Sequence, residues 1–313
     1  MTHQAKIIFI RGVIMSLAGG ICWGFSGACG EYLLQHTSVS LMYLSWFRFM
    51  LAAPCFALLI VFKDRKRFVQ MITDVRSIRK LIIYTICGLV ACQLVYMASI
   101  QVTNAGTATV LQCLEIVMII AWTSFVYHKA PSKRDVAGFI LAFLSVFIIA
   151  THGDPTQLVL PIAGIILGLL NAVFASVLTI YPKELLARWG NICTVGTASI
   201  MGAILLTMIA QPWNTVVELD AQGWLCMVYM AIIGTFLAFV FYFQGVKDLG
   251  PVKSALLATI EPISATLFSW AWLGTSFPPI DLVGFGLMIA MIVLVTKVPK
   301  KKDTQEKNSP VEA

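Results

Sequence analysis

The sequence predicts an all-α membrane protein with ten transmembrane helices, arranged as two inverted five-helix repeats. Three observations carry this. Apolar residues fall in runs of membrane-spanning length. Basic residues occupy only every second loop. The chain also aligns with itself at an offset of 146 residues.

The first observation begins with composition. Of 313 residues, 59% are hydrophobic and 12% charged, against about 25% charged in an average soluble domain. Such a chain lacks the polar surface a soluble fold of this length needs. Spans are expected at 12–34, 41–62, 81–101, 105–127, 135–151, 158–181, 191–211, 224–245, 251–273 and 280–298. Eight cysteines include no CxxC pair and fall almost all inside apolar runs, so they are expected to pack as small hydrophobes. No metal site or cofactor is expected.

The second observation fixes sidedness. Loops 1–11, 63–80, 128–134, 182–190 and 246–253, with the tail, hold 21 of the 22 basic residues. The alternate loops hold none, and the remaining base, Arg48, lies inside the second span. Positive loops stay in the cytoplasm. Both termini are therefore expected there, in a multi-pass protein of the plasma (inner) membrane. The scattered bases form no patch for nucleic acid. Ser26-x-Ala28 offers a weak signal-peptide cleavage site, but cleavage would leave nine spans, so helix 1 is expected to be retained. Loop 63–80 carries Phe68, Met71, Ile72, Val75 and Ile78 at helical spacing, as in a short helix on the anionic inner leaflet. Trp213 and Trp224 bracket the longest external loop, and residues 299–313 are polar enough to be disordered.

The third observation is the repeat. Residues 81–149 align without a gap to 227–295, with nine identities in 69 positions. The identities include rare residues: Gly88 with Gly234, Tyr96 with Tyr242, Glu115 with Glu261, Asp135 with Asp281, and Gly138-Phe139 with Gly284-Phe285. The repeats are 1–151 and 152–298. Because each holds an odd number of spans, the second enters the membrane from the opposite face. Inverted repeats place a binding site near the midplane between the halves.

The order of motifs resembles the EamA-type transporters of the drug/metabolite transporter superfamily. It comprises Trp23-Gly24, Trp46-Phe47-Arg48-Phe49, Thr103-Asn104-Ala105-Gly106-Thr107-Ala108, Gly250-Pro251-Val252-Lys253-Ser254-Ala255, Ile260-Glu261-Pro262, Trp272-Leu273-Gly274 and a Gly284-rich last helix. The resemblance implies a secondary transporter, commonly an exporter of amino acids and other small metabolites, with no catalytic residue set. This sequence departs from the family in two places. Where the family has a Glu after Leu-Gly, it has His128 or Lys129 and Thr275, and Ile116 follows Glu115 where Pro is frequent.

Glu115 and Glu261 lie near the midplane, where an ionised carboxylate costs about 2.5–3.5 kcal/mol on insertion scales. They either line a polar cavity, binding a substrate amine or a proton, or stay neutral and satisfy freed backbone groups. Proton coupling follows from the first reading only. Pro262 supplies a structural alternative for Glu261, because it leaves the Ala258 carbonyl without its helical partner. Arg48 is either a counter-charge for a substrate carboxylate or half of a structural ion pair with Glu31. The ion pair is the expectation. Tyr96, Tyr242, Trp23, Trp46, Trp122 and Trp270 are candidate cavity walls, although an aromatic on a span more often faces lipid or packs against a neighbour, and Gly20, Gly24, Gly27 and Gly30 are expected packing or hinge sites. A non-transporting membrane scaffold or assembly protein is the alternative. A membrane enzyme fits poorly, since the four His are scattered, and no GxxxxGK[ST] loop for nucleotide is present.

Reporter fusions after residues 40, 156 and 218 should read external, and those after 70, 187 and 305 cytoplasmic. A cytoplasmic reading at 218 would overturn the ten-span arrangement.

Overall fold

The computed structural model describes residues 3–126, 128, 130, 132–154, 158–249, 254 and 257–296. The tail 299–313, Lys129, and all but Ser254 of the Gly250–Ala255 run lie outside them. Among the described residues the fold is all helical.

The helices are α1 (His3–His36), α2 (Leu41–Lys63), α3 (Arg65–Thr73), α4 (Val75–Val102), α5 (Ala105–Val126), α6 (Lys133–Thr151), α7 (Ile162–Ile180), α8 (Lys183–Trp189), α9 (Asn191–Ala210), α10 (Ala221–Leu249), α11 (Ile260–Leu273) and α12 (Pro279–Thr296). Eight of these regions are long and apolar enough to cross a membrane: α1, α2, α4, α5, α6, a stretch joining α7 to α8, α9 and α10. The last two expected spans coincide with α11 and α12, which are shorter among the described residues.

Polar caps set several starts. Ser40 accepts the Tyr43 N–H at 3.2 Å, and Asn104 accepts the Thr107 N–H at 2.8 Å. Ser132 and Asp135 form a reciprocal capping box that opens α6. The repeat-matched aspartates thus mark helix starts: Asp135 caps α6, and Asp281 sits in the first turn of α12.

The bundle wears its apolar residues outside. Phe62, Phe125, Phe143 and Leu225 are each more than 70% exposed. Small and hydroxyl side chains such as Ser16, Ser45, Ser99 and Thr194 are fully buried. Lipid tails offer helices no hydrophobic drive to associate, so close backbone approach does it instead. Gly24 of α1 shows this. A Cβ there would stand 2.0 Å from the Ser264 hydroxyl and 2.8 Å from the Glu261 carbonyl. The expected role of these glycines as packing sites fits that geometry. Ser26 and Ala28, the weak cleavage site, are buried in the middle of α1.

Contacts between the halves come in exchangeable pairs. α1 packs along α10 and α11, while α7 packs along α4 and α5. α2 faces α9, and α6 faces α12. Both α4 and α10 contain a π-helical turn, at Tyr84–Val90 and Ile232–Leu237. Shifted by the sequence offset, these two turns overlap.

The following side-chain bridges between loops of the described residues each join loops of the same charge class. Arg11 forms a bidentate pair with Asp248, both contacts at 2.8 Å. Arg188 meets Asp74 at 2.7 Å, Trp189 donates its indole N–H to Ser77 at 2.8 Å, and Lys80 pairs with Glu184. On the other class, Gln35 donates to the Thr103 carbonyl at 3.0 Å, and His152 meets Asp281 at 3.2 Å.

The segment 63–80 is helical as expected but breaks at Asp74, and its apolar face is divided. Met71 is fully buried against the protein with Leu81, Leu185 and Trp189, while Val69, Ile72 and Val75 stay exposed.

Asp74 joins α3, α4 and α8. The Ser77 hydroxyl chiefly, then Arg188 and Arg76, hold its carboxyl below the ordinary value against some desolvation. A depressed folded-state pKa adds stability at neutral pH that is lost as pH falls through it. Asp74→Asn should therefore lower the melting temperature in detergent at pH 7, and the gap from wild type should close below about pH 4. A gap unchanged between pH 7 and pH 3 would remove the charge from the account.

Candidate functional site

Each candidate carboxylate follows a break in its helix. In α5, Cys113 and Leu114 are turn residues whose N–H groups bond three residues back, to Val110 at 3.1 Å and Leu111 at 3.1 Å. Helix resumes at Glu115. In the second half Thr259 is a turn residue, and α11 begins at Ile260 with Glu261 in its first turn. The sequence offset carries 113–114 onto 259–260. Pro262 explains the second break by removing an N–H. The first has Ile116 at that place, so proline is not what the two breaks share. Both carboxylates lie at the electropositive start of a half-helix, the arrangement through which discontinuous membrane helices hold ligands.

The surroundings are shared. Glu261 lies within electrostatic reach of Glu115 and Arg48, and Tyr242 within reach of both glutamates. Tyr96 is an electrostatic neighbour of Glu261 and Arg48, and its hydroxyl is 2.7 Å from the Thr109 hydroxyl on α5. Trp23 packs against Tyr242 and Phe239, with ring centroids 5.3 Å apart in each case. Among the described residues neither glutamate side chain makes a hydrogen bond or an ion pair, and both residues are half-buried.

Other expected cavity walls lie elsewhere. Trp46 donates its indole N–H to Thr207 at 2.9 Å and so joins α2 to α9. Trp122 and Trp270 are 56% and 60% exposed on the outer surface.

The expected ion pair between Glu31 and Arg48 is not formed. Arg48 is buried and donates from Nε to the Thr235 hydroxyl at 2.5 Å and from Nη2 to the Gly234 carbonyl at 3.0 Å. It thereby serves the π-turn of α10, where Thr235 also donates to the Met230 carbonyl at 2.8 Å. Glu31, 1% exposed, accepts from the Ala105 N–H at 2.8 Å, the Ser269 hydroxyl at 2.7 Å and the Thr275 hydroxyl at 2.6 Å. One carboxylate thus ties α1 to the start of α5 and to the end of α11. Thr275, where the family has a carboxylate, is here a donor to one.

Three residues missed in the sequence join the inner polar set. The Asn171 amide on α7 donates to Gln112 of α5 at 2.9 Å, and the Cys92 thiol of α4 lies 3.5 Å from Asn171. Gln112 lies one helical turn before Glu115, and that spacing was the available signal.

Two partly open cavities lie between the helices. One of about 420 Å³ lies between α5, α11 and α12, walled by Pro262, Thr266 and Phe277 and by the exposed Leu267 and Trp270. The other, of about 560 Å³, lies between α2, α9 and α10. Glu115 and Glu261 line neither.

Comparison with known proteins places this geometry. The sequence profile of the EamA-like transporter family matches residues 10–151 and again 162–297. An inner membrane transporter of Salmonella typhimurium, YicL, is 28% identical over 286 residues, covering 91% of this chain and 95% of that protein. A probable terminal-alkyne amino-acid exporter of Streptantibioticus cattleyicolor is 24% identical over 194 residues, covering 62% of this chain and 64% of that one. A solved crystal structure superposes with a TM-score of 0.63 at 13% identity, over 91% of this chain and 98% of the other. That last likeness shows the fold alone.

Because Glu31 and Arg48 share no partner, their contributions should be independent. Glu31→Gln and Arg48→Gln should each lower the melting temperature, the loss of a buried partner costing about 1–3 kcal/mol. In the double variant the losses should add within about 0.5 kcal/mol. A double variant more stable than the sum would reinstate the direct pair.

Proposed function

The chain belongs to the EamA-like transporter family, and from that premise we propose that it is a secondary transporter, an exporter of small organic metabolites such as amino acids, working by alternating access. The observation that carries the reading is the coincidence of two unpaired glutamates, each just after a helix break, at equivalent positions of the two halves.

The proposed architecture is ten transmembrane helices in two inverted repeats, 1–151 and 152–298, with both termini cytoplasmic in the inner membrane. The double match of the family profile supports the repeat. So do the overlapping π-turns and the exchangeable contacts between halves. The segregation of loop bridges by charge class supports the sidedness.

The proposed cavity is formed by Glu115, Glu261, Tyr96, Tyr242 and Trp23, with Arg48 at its edge. Carboxylates suit a substrate amine or a proton. Aromatic walls suit an apolar side chain, and Gln112 and Asn171 offer neutral hydrogen bonds. The named activity of the Streptantibioticus relative supports an amino acid as cargo. Glu31 acts as the outer latch in this scheme, because its three donors include groups from both halves. Releasing Ser269 and Thr275 would let α11 part from α1.

The test uses purified protein in liposomes, with amino-acid flux measured across a pH series and folding checked separately. Glu115→Gln keeps shape and hydrogen bonding but removes titration, so flux should fail or lose its pH dependence. Glu261→Gln should act in the same direction but more mildly, since Pro262 contributes to its local structure independently. Wild-type flux and pH profile in both variants would remove the carboxylates from the mechanism.

A further inference from the structure

The 560 Å³ cavity at the basic end of the bundle plays no part in the proposed transport site. Its mouth carries Lys63, Arg67 and Lys247 against one carboxylate, Asp64. Asp64 lies 3.6 Å from Arg67, a surface pair of low worth. The Lys63 and Lys247 side chains make no hydrogen bond or ion pair among the described residues, so the lining of the mouth carries more positive than negative charge. Gly190, Asn191 and Ile192 complete the rim, and they are the start of α9, a 20-residue helix with no side-chain cap. Its first N–H groups add to the positive field there.

Deeper in, the cavity turns apolar. Phe56 and Val195 are 2% exposed, and Phe239 and Phe243 stack at 5.9 Å. On α2, next to the lining residues Leu59 and Lys63, Leu58 and Phe62 are 59% and 83% exposed. The cavity therefore borders the surface the protein turns to lipid. A soluble anion would need the bases but not the apolar depth or the lipid-side border. A neutral lipid would need the depth but not the bases.

We infer that this cavity is a binding site for an anionic phospholipid, with the headgroup phosphate among Lys63, Arg67, Lys247 and the start of α9, and the first acyl carbons against Phe239 and Phe243. Basic pockets between membrane helices on the cytoplasmic side suit such headgroups. The site brings together α2 and α3 of one half with α9 and α10 of the other, so the lipid would bridge the two. The inference does not depend on what the protein transports.

The experiment uses the full chain, delipidated in a neutral detergent, and reads binding rather than flux. Phosphatidylglycerol should raise the melting midpoint by roughly 3–8 °C, and phosphatidylcholine should not. Native mass spectrometry of wild type in an equimolar mixture should show one phosphatidylglycerol retained per chain. Lys247→Gln and Lys63→Gln should each weaken that retention about 3–10-fold, and the triple change with Arg67→Gln should abolish it. Arg65→Gln with Lys66→Gln, bases on the same short helix that do not line the cavity, should leave it unchanged. Equal retention of both lipids would overturn the proposal. So would an equal shift with inorganic phosphate alone, which would mark a soluble-anion site, or an equal loss in the Arg65/Lys66 variant, which would mark diffuse charge. Should the triple variant not fold, the single variants and the wild-type lipid competition decide the matter.

Discussion

In hydrocarbon a backbone N–H or carbonyl without a partner costs several kcal/mol, so a membrane helix cannot be interrupted without local compensation. Among the described residues, spans are interrupted just before Glu115 and Glu261 and modified by π-turns in α4 and α10. The compensations differ. Before Glu115, the N–H groups shift to carbonyls three residues back, and the Cys113 thiol donates to the Thr109 carbonyl at 3.3 Å. At the second break Pro262, just after Glu261, removes one N–H altogether, so that only the Ala258 carbonyl loses its helical partner. In α10 the Arg48 guanidinium reaches across from α2 to take the Gly234 carbonyl. The helix contacts follow from these repairs. α1 comes close enough to α11 to need a glycine at 24, and α2 is held against the π-turn by its arginine.

A buried arginine that donates to a carbonyl and a hydroxyl keeps its charge without a carboxylate beside it. Glu261 is within its electrostatic reach but not bonded to it. The guanidinium therefore contributes a fixed positive field to a region whose two carboxylates have no direct partner. The two halves are not chemically equal around that region. Gln112 and Cys92 lie in α5 and α4 of the first half and Asn171 in α7 of the second, while the residues at the matching offset in the opposite half, Ala258, Ala238 and Phe25, are apolar. A pseudo-symmetric frame thus holds an asymmetric lining, as binding an asymmetric small molecule requires.

Much of the frame was legible in the sequence because its signals are one-dimensional. Span length, loop charge and the spacing of rare residues need no knowledge of which helix touches which. The 146-residue offset relates the positions of the two helix breaks, of which the sequence announced only the one at Pro262 directly. What the sequence hid was azimuth. Glu31 and Arg48 were matched by depth, but depth does not say which face of a helix a side chain occupies, and they point to different neighbours. For the same reason the sequence did not say which tryptophans face lipid: Trp122 and Trp270 turn outward, while Trp23 packs inward against Tyr242 and Phe239. Asp135 was conspicuous as a repeat match, yet it is a helix cap, a role that recurs wherever a helix starts after a polar turn. Asn171 was hidden because a single amide in an apolar span carries no periodic signal.

The outer latch has a consequence for the membrane as an insulator. A carrier embedded in an energised bilayer is a hazard when idle, since any state open to both sides would let ions run down their gradients. Glu31 holds three donors from two separate stretches of chain, Ala105 at the start of α5 and Ser269 and Thr275 at the end of α11, and leaving a buried donor without its partner costs about 1–3 kcal/mol. They sit together and must yield together, so thermal fluctuation rarely releases them all at once. On the proposed alternating-access scheme, the empty protein would by this means be a poor leak, its outer side held by an interaction that no single water molecule can replace.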